Sequence, residues 1–292
     1  MNDHFTYRPS GKIGPLAWLI FALEAILLLP MISILYAYLI VYFPIIYLNV
    51  LVVIGFALIL GVSIYPIVKF GKVRGKKGET LFGVLMWGVA MYWQWCAHLT
   101  LLFGIDDGSS FFTPGGFDVG EFMYMATHPA DLWSNITFLG SVGNWGFGDT
   151  TVKGSFLWLV WIVEAIMLLG GAILATQGWS KLPFSEATNR WYKRRPLPKR
   201  IQLHRGISKF IEGFQNQDLS ELGNTPVIDS SSAEFTELVI FESPGEESAY
   251  LAFYNQELEV DNKGNKKKKY RRNGDFYYIS PEMNLALSQF FE

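Results

Sequence analysis

The chain has 292 residues, half of them hydrophobic and 16% aromatic, with a formal charge of −2. Its apolar residues gather into blocks too long for the core helices of a soluble protein, which excludes an ordinary soluble domain for the first two thirds, and its near-neutral total charge argues for no class of partner. The one cysteine, Cys96, cannot close an intramolecular disulfide and leaves the redox compartment open.

Residues 1–14 form a short basic tail, and no cleavable signal peptide is expected, because the following apolar run is far longer than a signal core. From Pro15 to Val68 the single charged residue is Glu24. One continuous helix of that length would be about 80 Å long, and a bilayer core of roughly 30 Å takes about 20 residues per crossing. Two crossings fit, over 15–42 and 45–68. The break is expected at Phe43-Pro44, because proline disfavours helix in the residue before it and suits the first turn of a new one. Tyr36, Tyr38, Tyr42 and Tyr47 flank that point as an aromatic belt would. Pro30 is the rival break point, although proline inside a membrane helix is tolerated where a neighbour satisfies the freed carbonyl. Two further spans are read over 81–103 and 155–176. The expected fold is an α-helical membrane protein with four transmembrane helices in 15–176 and a small α+β domain at the C-terminus.

Charge sets the orientation. Arg8, Lys12, Lys69, Lys72, Arg74, Lys76, Lys77, Lys181, Arg190 and Lys193 onward fall on one side of a four-span scheme. The loop over 104–154 has Lys153 alone against Asp106, Asp107, Asp118, Glu121, Asp131 and Asp149. The basic side, with both ends of the chain, is read as cytoplasmic. Within the outward loop, Val119–Thr127 and Asp131–Leu139 are expected as short helices, the second lying at the interface on Trp133, Ile136 and Phe138. The loop is a surface cap or a binding lid. His128 with Asp131 is too small a set to hold a metal.

Ionisable groups in lipid are costly and therefore suggest function. Glu24, Gln94, His98 and Glu164 are the candidates, either as a descending proton or cation path or as interhelical hydrogen bonds that hold the bundle together. Trp87, Met91, Trp95 and His98 share one helix face, which reads as packing. Ala57/Gly61 and Gly171/Ala175 are small-residue pairs that suit a bundle or a dimer interface.

Residues 177–234 read as a basic juxtamembrane helix, amphipathic over 201–217, followed by a polar linker. Lys193, Arg194, Arg195, Lys199 and Arg200 suit anionic lipid headgroups. Nucleic-acid binding is the weaker reading, since any protein of this topology needs such a cluster. Residues 235–292 read as the α+β domain. ELVIFE, AYLAFY and FYYI are its strands, with a hairpin at 262–265 and a final helix capped by Ser280, packing through Leu285, Leu287, Phe290 and Phe291. Lys266, Lys267, Lys268 and Lys269 form a basic strand, either a solvated edge or a surface for lipid or an acidic partner.

YRPSGKIGP before the first span, YAYLIVYFPIIYLNVL at the hairpin and GKVRGKK after the second together resemble an uncharacterised group of bacterial membrane proteins. The resemblance covers the first 80 residues or so. It implies a multi-pass protein of the bacterial inner membrane and no activity. The chain has no nucleotide loop, zinc motif, nucleophile elbow or matched acid–base pair, so neither cofactor nor metal is expected and an enzyme is the least supported class. Two readings stand: a membrane scaffold or regulatory protein presenting a cytoplasmic domain, with a membrane-protein partner or a second copy, and a transporter or channel subunit using Glu24, Glu164 and His98.

Overall fold

A computed structural model describes residues 5–43, 46–103, 117–143, 145–147, 150–176, 178–228, 232–262 and 265–291. The chain forms two compact units, Ser10–Lys181 and Met1–Pro9 together with Leu182–Glu292. The Phe43-Pro44 turn, the side chain of Tyr47, and Asp106, Asp107 and Asp149 lie outside the described residues.

The first unit is helical. Helix α1 (Pro15–Leu23) runs through a π-helical turn, Glu24–Leu28, into α2 (Leu29–Tyr42). Pro30 therefore does not break the helix. The turn widens so that the N–H of Leu29 reaches the carbonyl of Glu24. In that five-residue register the donor missing from Pro30 would have served the carbonyl of Ala25. The indole of Trp93 serves it instead, at 2.9 Å. Helices α3 (Ile46–Lys69), α4 (Lys76–Phe103), α5 (Val119–Thr127), α6 (Pro129–Val142) and α7 (Ser155–Thr176) follow, with a two-stranded hairpin of β1 (Trp145–Phe147) and β2 (Thr150–Val152) between the last two.

Among the described residues three helices are long and apolar enough to cross a membrane: Pro15–Tyr42, Leu48–Lys69 and Ser155–Leu174. The expectation of four such helices is corrected. Helix α4 has the length, at 28 residues, but not the apolarity. Much of its surface faces protein: Phe82, Met86, Ala90, Cys96, Ala97 and Leu99 are all buried, while Leu81, Val84 and Phe103 are exposed. Neighbouring helices shield it, which lets it carry Gln94, His98 and Thr100.

Helix α4 lies antiparallel to α7. The indole of Trp87 donates to the carbonyl of Ala165 at 3.0 Å, and the Trp95 and Trp161 rings meet edge to face at 4.8 Å. On α3 and α7, a Cβ on Gly171 would lie 2.5 Å from the Cβ of Ala57. Of the two uses expected for these small residues, this contact serves the bundle within one chain, where a bare glycine lets the backbones approach.

The second unit is a six-stranded antiparallel sheet with helices on one face. Strands β3 (Phe184–Ser185) and β4 (Arg190–Trp191) form a separate short hairpin. Strand β8 (Phe235–Glu242) is central. It pairs with β9 (Ala249–Val260) on one side, and with β5 (Lys193–Pro196) and β6 (Arg200–Ile201) on the other. Strand β10 (Lys266–Ile279) flanks β9, and β7 (Val227–Ile228) flanks β6. Alternate residues of β8 point to opposite faces. Leu238 and Ile240 pack under α8 (Ser208–Gln215) and α10 (Pro281–Phe291), while Val239 and Phe241 pack with Tyr192, Ala252 and Phe276 on the reverse. Both faces are covered, so ELVIFE reads as a continuous apolar run, without alternation.

Within the segment expected as a basic juxtamembrane helix, the amphipathic stretch 201–217 does hold a helix, α8, with Phe210, Ile211 and Phe214 buried. The basic part before it is strand, β4 to β6, and a short helix, α9 (Ser220–Gly223), stands in the expected linker. Tyr192 and Leu197 are buried while Lys193 and Arg194 point outward, and pairing with β8 overrides local helix preference. In α10, Ser280 accepts from the N–H of Met283 at 3.2 Å, as its cap. Met283, Leu287 and Phe291 are buried, whereas Leu285 and Phe290 are exposed.

The sheet is completed by the far end of the chain. Thr6 bridges Tyr277 in antiparallel fashion, and the N–H of Tyr7 donates to the carbonyl of Phe276 at 2.8 Å. The Tyr7 ring meets Tyr250 and Phe276 edge to face, and its hydroxyl accepts from the N–H of Phe184 at 3.2 Å.

Candidate functional site

In the helical unit the polar candidates stand on different helices, Glu24 at the π-helical turn, Gln94 and His98 on α4 and Glu164 on α7. Glu24 opens the π-helical turn, one residue before the carbonyl that Trp93 holds, and its Oε2 is buried without a hydrogen-bond partner. Glu164, on α7, accepts a hydrogen bond from the hydroxyl of Tyr36 on α2. Tyr36 is 2% exposed and its ring stacks on Phe56 of α3 at 4.4 Å. Three helices therefore meet at one carboxyl group. Tyr36, assigned by sequence to an aromatic belt, belongs instead to the interior of the bundle. The sequence signal for it was indirect: a buried carboxyl needs a donor, and Tyr36 is a donor on an otherwise apolar stretch.

Gln94 and His98 stand one turn apart on α4, each 5% exposed. The Oε1 of Gln94 has no hydrogen-bond partner, and the His98 ring sits edge to face on Trp95 at 5.7 Å. Chemically, the Tyr36–Glu164 pair ties helices together through a hydrogen bond shielded from water, and such a bond is strengthened by its low-dielectric surroundings.

A second cluster escaped sequence reading. The segments SGKIGP and GKVRGKK meet at one end of the helical unit. The N–H of Arg74 donates to the carbonyl of Lys12 at 2.9 Å. A Cβ on Gly14 would lie 2.4 Å from the Gly71 carbonyl oxygen, and one on Gly71 would lie 2.5 Å from the Cα of Ala17. Beside this contact, Arg74 and Glu79 are buried, and Glu79 accepts from the hydroxyl of buried Ser180 at 2.6 Å. The glycines at 14 and 71 were the available signal, since close backbone approach requires them.

Most of the basic candidates of the second unit are already engaged. Arg194 pairs with Glu237 at 2.8 Å and lies over the Tyr254 ring at 5.1 Å. Arg195 bonds Glu242 through two nitrogens, at 3.0 and 2.7 Å, and also reaches Asn284 and Ser288. Arg200 lies over Phe235 at 4.1 Å. Lys267 pairs with Asp261 at 3.8 Å and Lys269 with Glu259 at 2.8 Å. The Arg195 guanidinium holds the Glu242 carboxyl below its ordinary range, and Lys269 does the same for Glu259. Burial, and then the Glu237 carboxyl, push Tyr270 up. Lys193 lines an open 330 Å³ hollow beside Glu242 and Glu246, and Lys199, Lys266 and Lys268 are exposed.

In the segment before α7, the Tyr124 hydroxyl donates to Asp131 at 2.5 Å, while the ring stacks on His128 at 4.1 Å. The carboxyl and imidazole are thus engaged by a tyrosine, and among the described residues no group of three or more His, Cys, Asp or Glu could hold a metal. Comparison with family models, with curated proteins and with solved structures finds no match.

Proposed function

We propose that the chain is a four-span membrane scaffold or regulatory protein that presents the sheet domain on the cytoplasmic side, with both its ends there. One observation carries the reading: the segment holding Thr6 and Tyr7 lies in the same compact unit as residues 182–292. A chain whose two ends build one domain crosses a membrane an even number of times. Three helices are apolar enough on their own, so an even count enlists α4, which runs antiparallel along α7. The cations at Lys69, Lys72, Arg74, Lys76 and Lys77, in the connection from α3 to α4 and its first turn, then share the side of the domain, as the positive-inside rule asks. The resemblance of the first 80 residues or so is in keeping with a bacterial inner membrane. Exposed Lys193, Lys199, Lys266 and Lys268 are the residues left to meet anionic headgroups.

The carboxyl of Glu164 is held by Tyr36, which favours a structural role over a conducting one. The test is topological. In the full-length chain, a reporter inserted after Ala130 is expected outside and one fused after Phe291 inside. Reporters on opposite sides of the expected pattern, or both inside, would overturn the reading. Purified protein in proteoliposomes is expected to give no proton or cation flux; a flux abolished by Glu164→Gln would replace the scaffold with a transporter.

A further inference from the structure

Helices α5 and α6 are too short to span, at 9 and 14 residues. Each buries one face: Phe122, Met125, Leu132, Ile136 and Leu139 form a core with α4. The opposite face is apolar too. Trp133 is 60% exposed and Phe138 59%, with Met123 and Val142 exposed beside them. From Leu132 to Val142 there is no charged residue. A water-facing helix normally carries charges on its outer face. Two of the three exposed hydroxyls there, those of Thr137 and Ser141 but not Ser134, turn back on the helix: Thr137 donates to the Ser134 carbonyl and Ser141 to the Phe138 carbonyl, both at 2.7 Å. Such self-satisfied hydroxyls are compatible with an apolar medium, where each unpaired polar group is costly.

The face is also continuous with the outside of an apolar helix. The Trp133 ring lies 5.9 Å from Trp158, in the first turn of α7, and a Cβ on Gly140 would lie 2.6 Å from the Trp158 indole nitrogen. Phe156 and Leu159 are exposed next to Trp158. The acids of the pair, Asp118, Glu121 and Asp131, are confined to the first turns of α5 and α6.

We infer that the outer face of α6, with Met123 of α5, is a lipid-contacting surface seated at the boundary between headgroups and acyl chains, through Trp133, Phe138 and Val142. Ile136, expected from sequence to share that face, points the other way. The inference rests on the membrane reading proposed above. It is tested with full-length protein in phosphatidylcholine–phosphatidylglycerol bilayers, Cys96→Ala throughout, spin-labelled at Phe138→Cys. Val142→Cys gives a second position should the first fail to fold. Leu58→Cys, on the exposed face of α3, is the lipid reference, and Glu212→Cys, exposed on α8, the water reference. The ratio of oxygen to nickel-chelate collisions is expected to be severalfold higher at 138 and 142 than at 212, approaching that at 58. A ratio at 138 and 142 like that at 212, with 58 in lipid, would overturn this inference alone. Shielding of both labels from both agents would put protein, a second copy or a partner, on the face, and overturn it too. A water-like ratio at 58 would remove the membrane reading itself.

Discussion

At the scale of the residue, two hydrogen bonds across the bundle bear the most weight. Tyr36 supplies the donor for Glu164. Tyr36→Phe keeps the ring on Phe56 and leaves the carboxyl without that donor, so it is expected to cost about 1–3 kcal/mol, read by thermal unfolding in mild detergent. Glu164→Gln keeps an acceptor oxygen and is expected to cost less than Tyr36→Phe; the reverse order would show that the tyrosine is not what stabilises the carboxyl. Trp93 holds the carbonyl that Pro30 leaves without a donor. Trp93→Phe removes the donor and keeps most of the apolar ring, with an expected loss of about 1–2 kcal/mol. In Pro30→Ala a backbone N–H is restored, and the same Trp93→Phe substitution should then cost markedly less. That double-mutant coupling is the measurement that checks the account of the π-helical turn.

At the scale of the element, glycine positions decide how closely helices approach. A Cβ at position 71 would lie 2.2 Å from the Ile67 carbonyl oxygen and 2.5 Å from the Ala17 Cα. Both are backbone atoms that cannot swing aside, so Gly71→Ala is expected to destabilise by about 3 kcal/mol. Gly88→Ala, where a Cβ meets nothing within 4 Å, is its neutral or stabilising control in the same assay. Some helix ends were legible in the sequence, because Pro15 and Ser155 open apolar runs with clear starts, and α5 ends before His128-Pro129 as its proline requires, but α4 starts at Lys76 instead of 81 and α6 extends past the expected 131–139 at both ends. The strand content of 190–201 was not legible. Its buried hydrophobic residues, Tyr192, Leu197 and Ile201, are spaced five and four apart, which is not a strand's alternation, and what makes it a strand is β8, some forty positions later. Nor was the shielding of α4, since composition alone cannot distinguish a helix facing lipid from one facing other helices. The four polar candidates could be named from sequence, but the partner of Glu164 could not, because the Tyr36 contact spans 128 positions.

At the scale of the whole molecule, the sheet domain is held by ion pairs that respond to acid. The folded value of Glu242 is lowered from 4.5 by Arg195. A depressed carboxyl contributes stability that is fully present above its unfolded value and is lost as pH falls through the folded one. The protein is therefore expected to lose stability as pH drops below 4.5, and Arg195→Leu should flatten that dependence in chemical unfolding followed at pH 7 and pH 3.5. An unchanged slope would mean that other carboxylates govern acid sensitivity. Thr6 and Tyr7 meet strand β10 at Phe276 and Tyr277, far along the chain. At about 5–20 residues per second, the segment holding Thr6 and Tyr7 waits on the order of 15–55 seconds for its mate. During that interval the half-built sheet offers translation-linked chaperones and proteases an open margin, so codon choices that slow elongation between the two should depress yield.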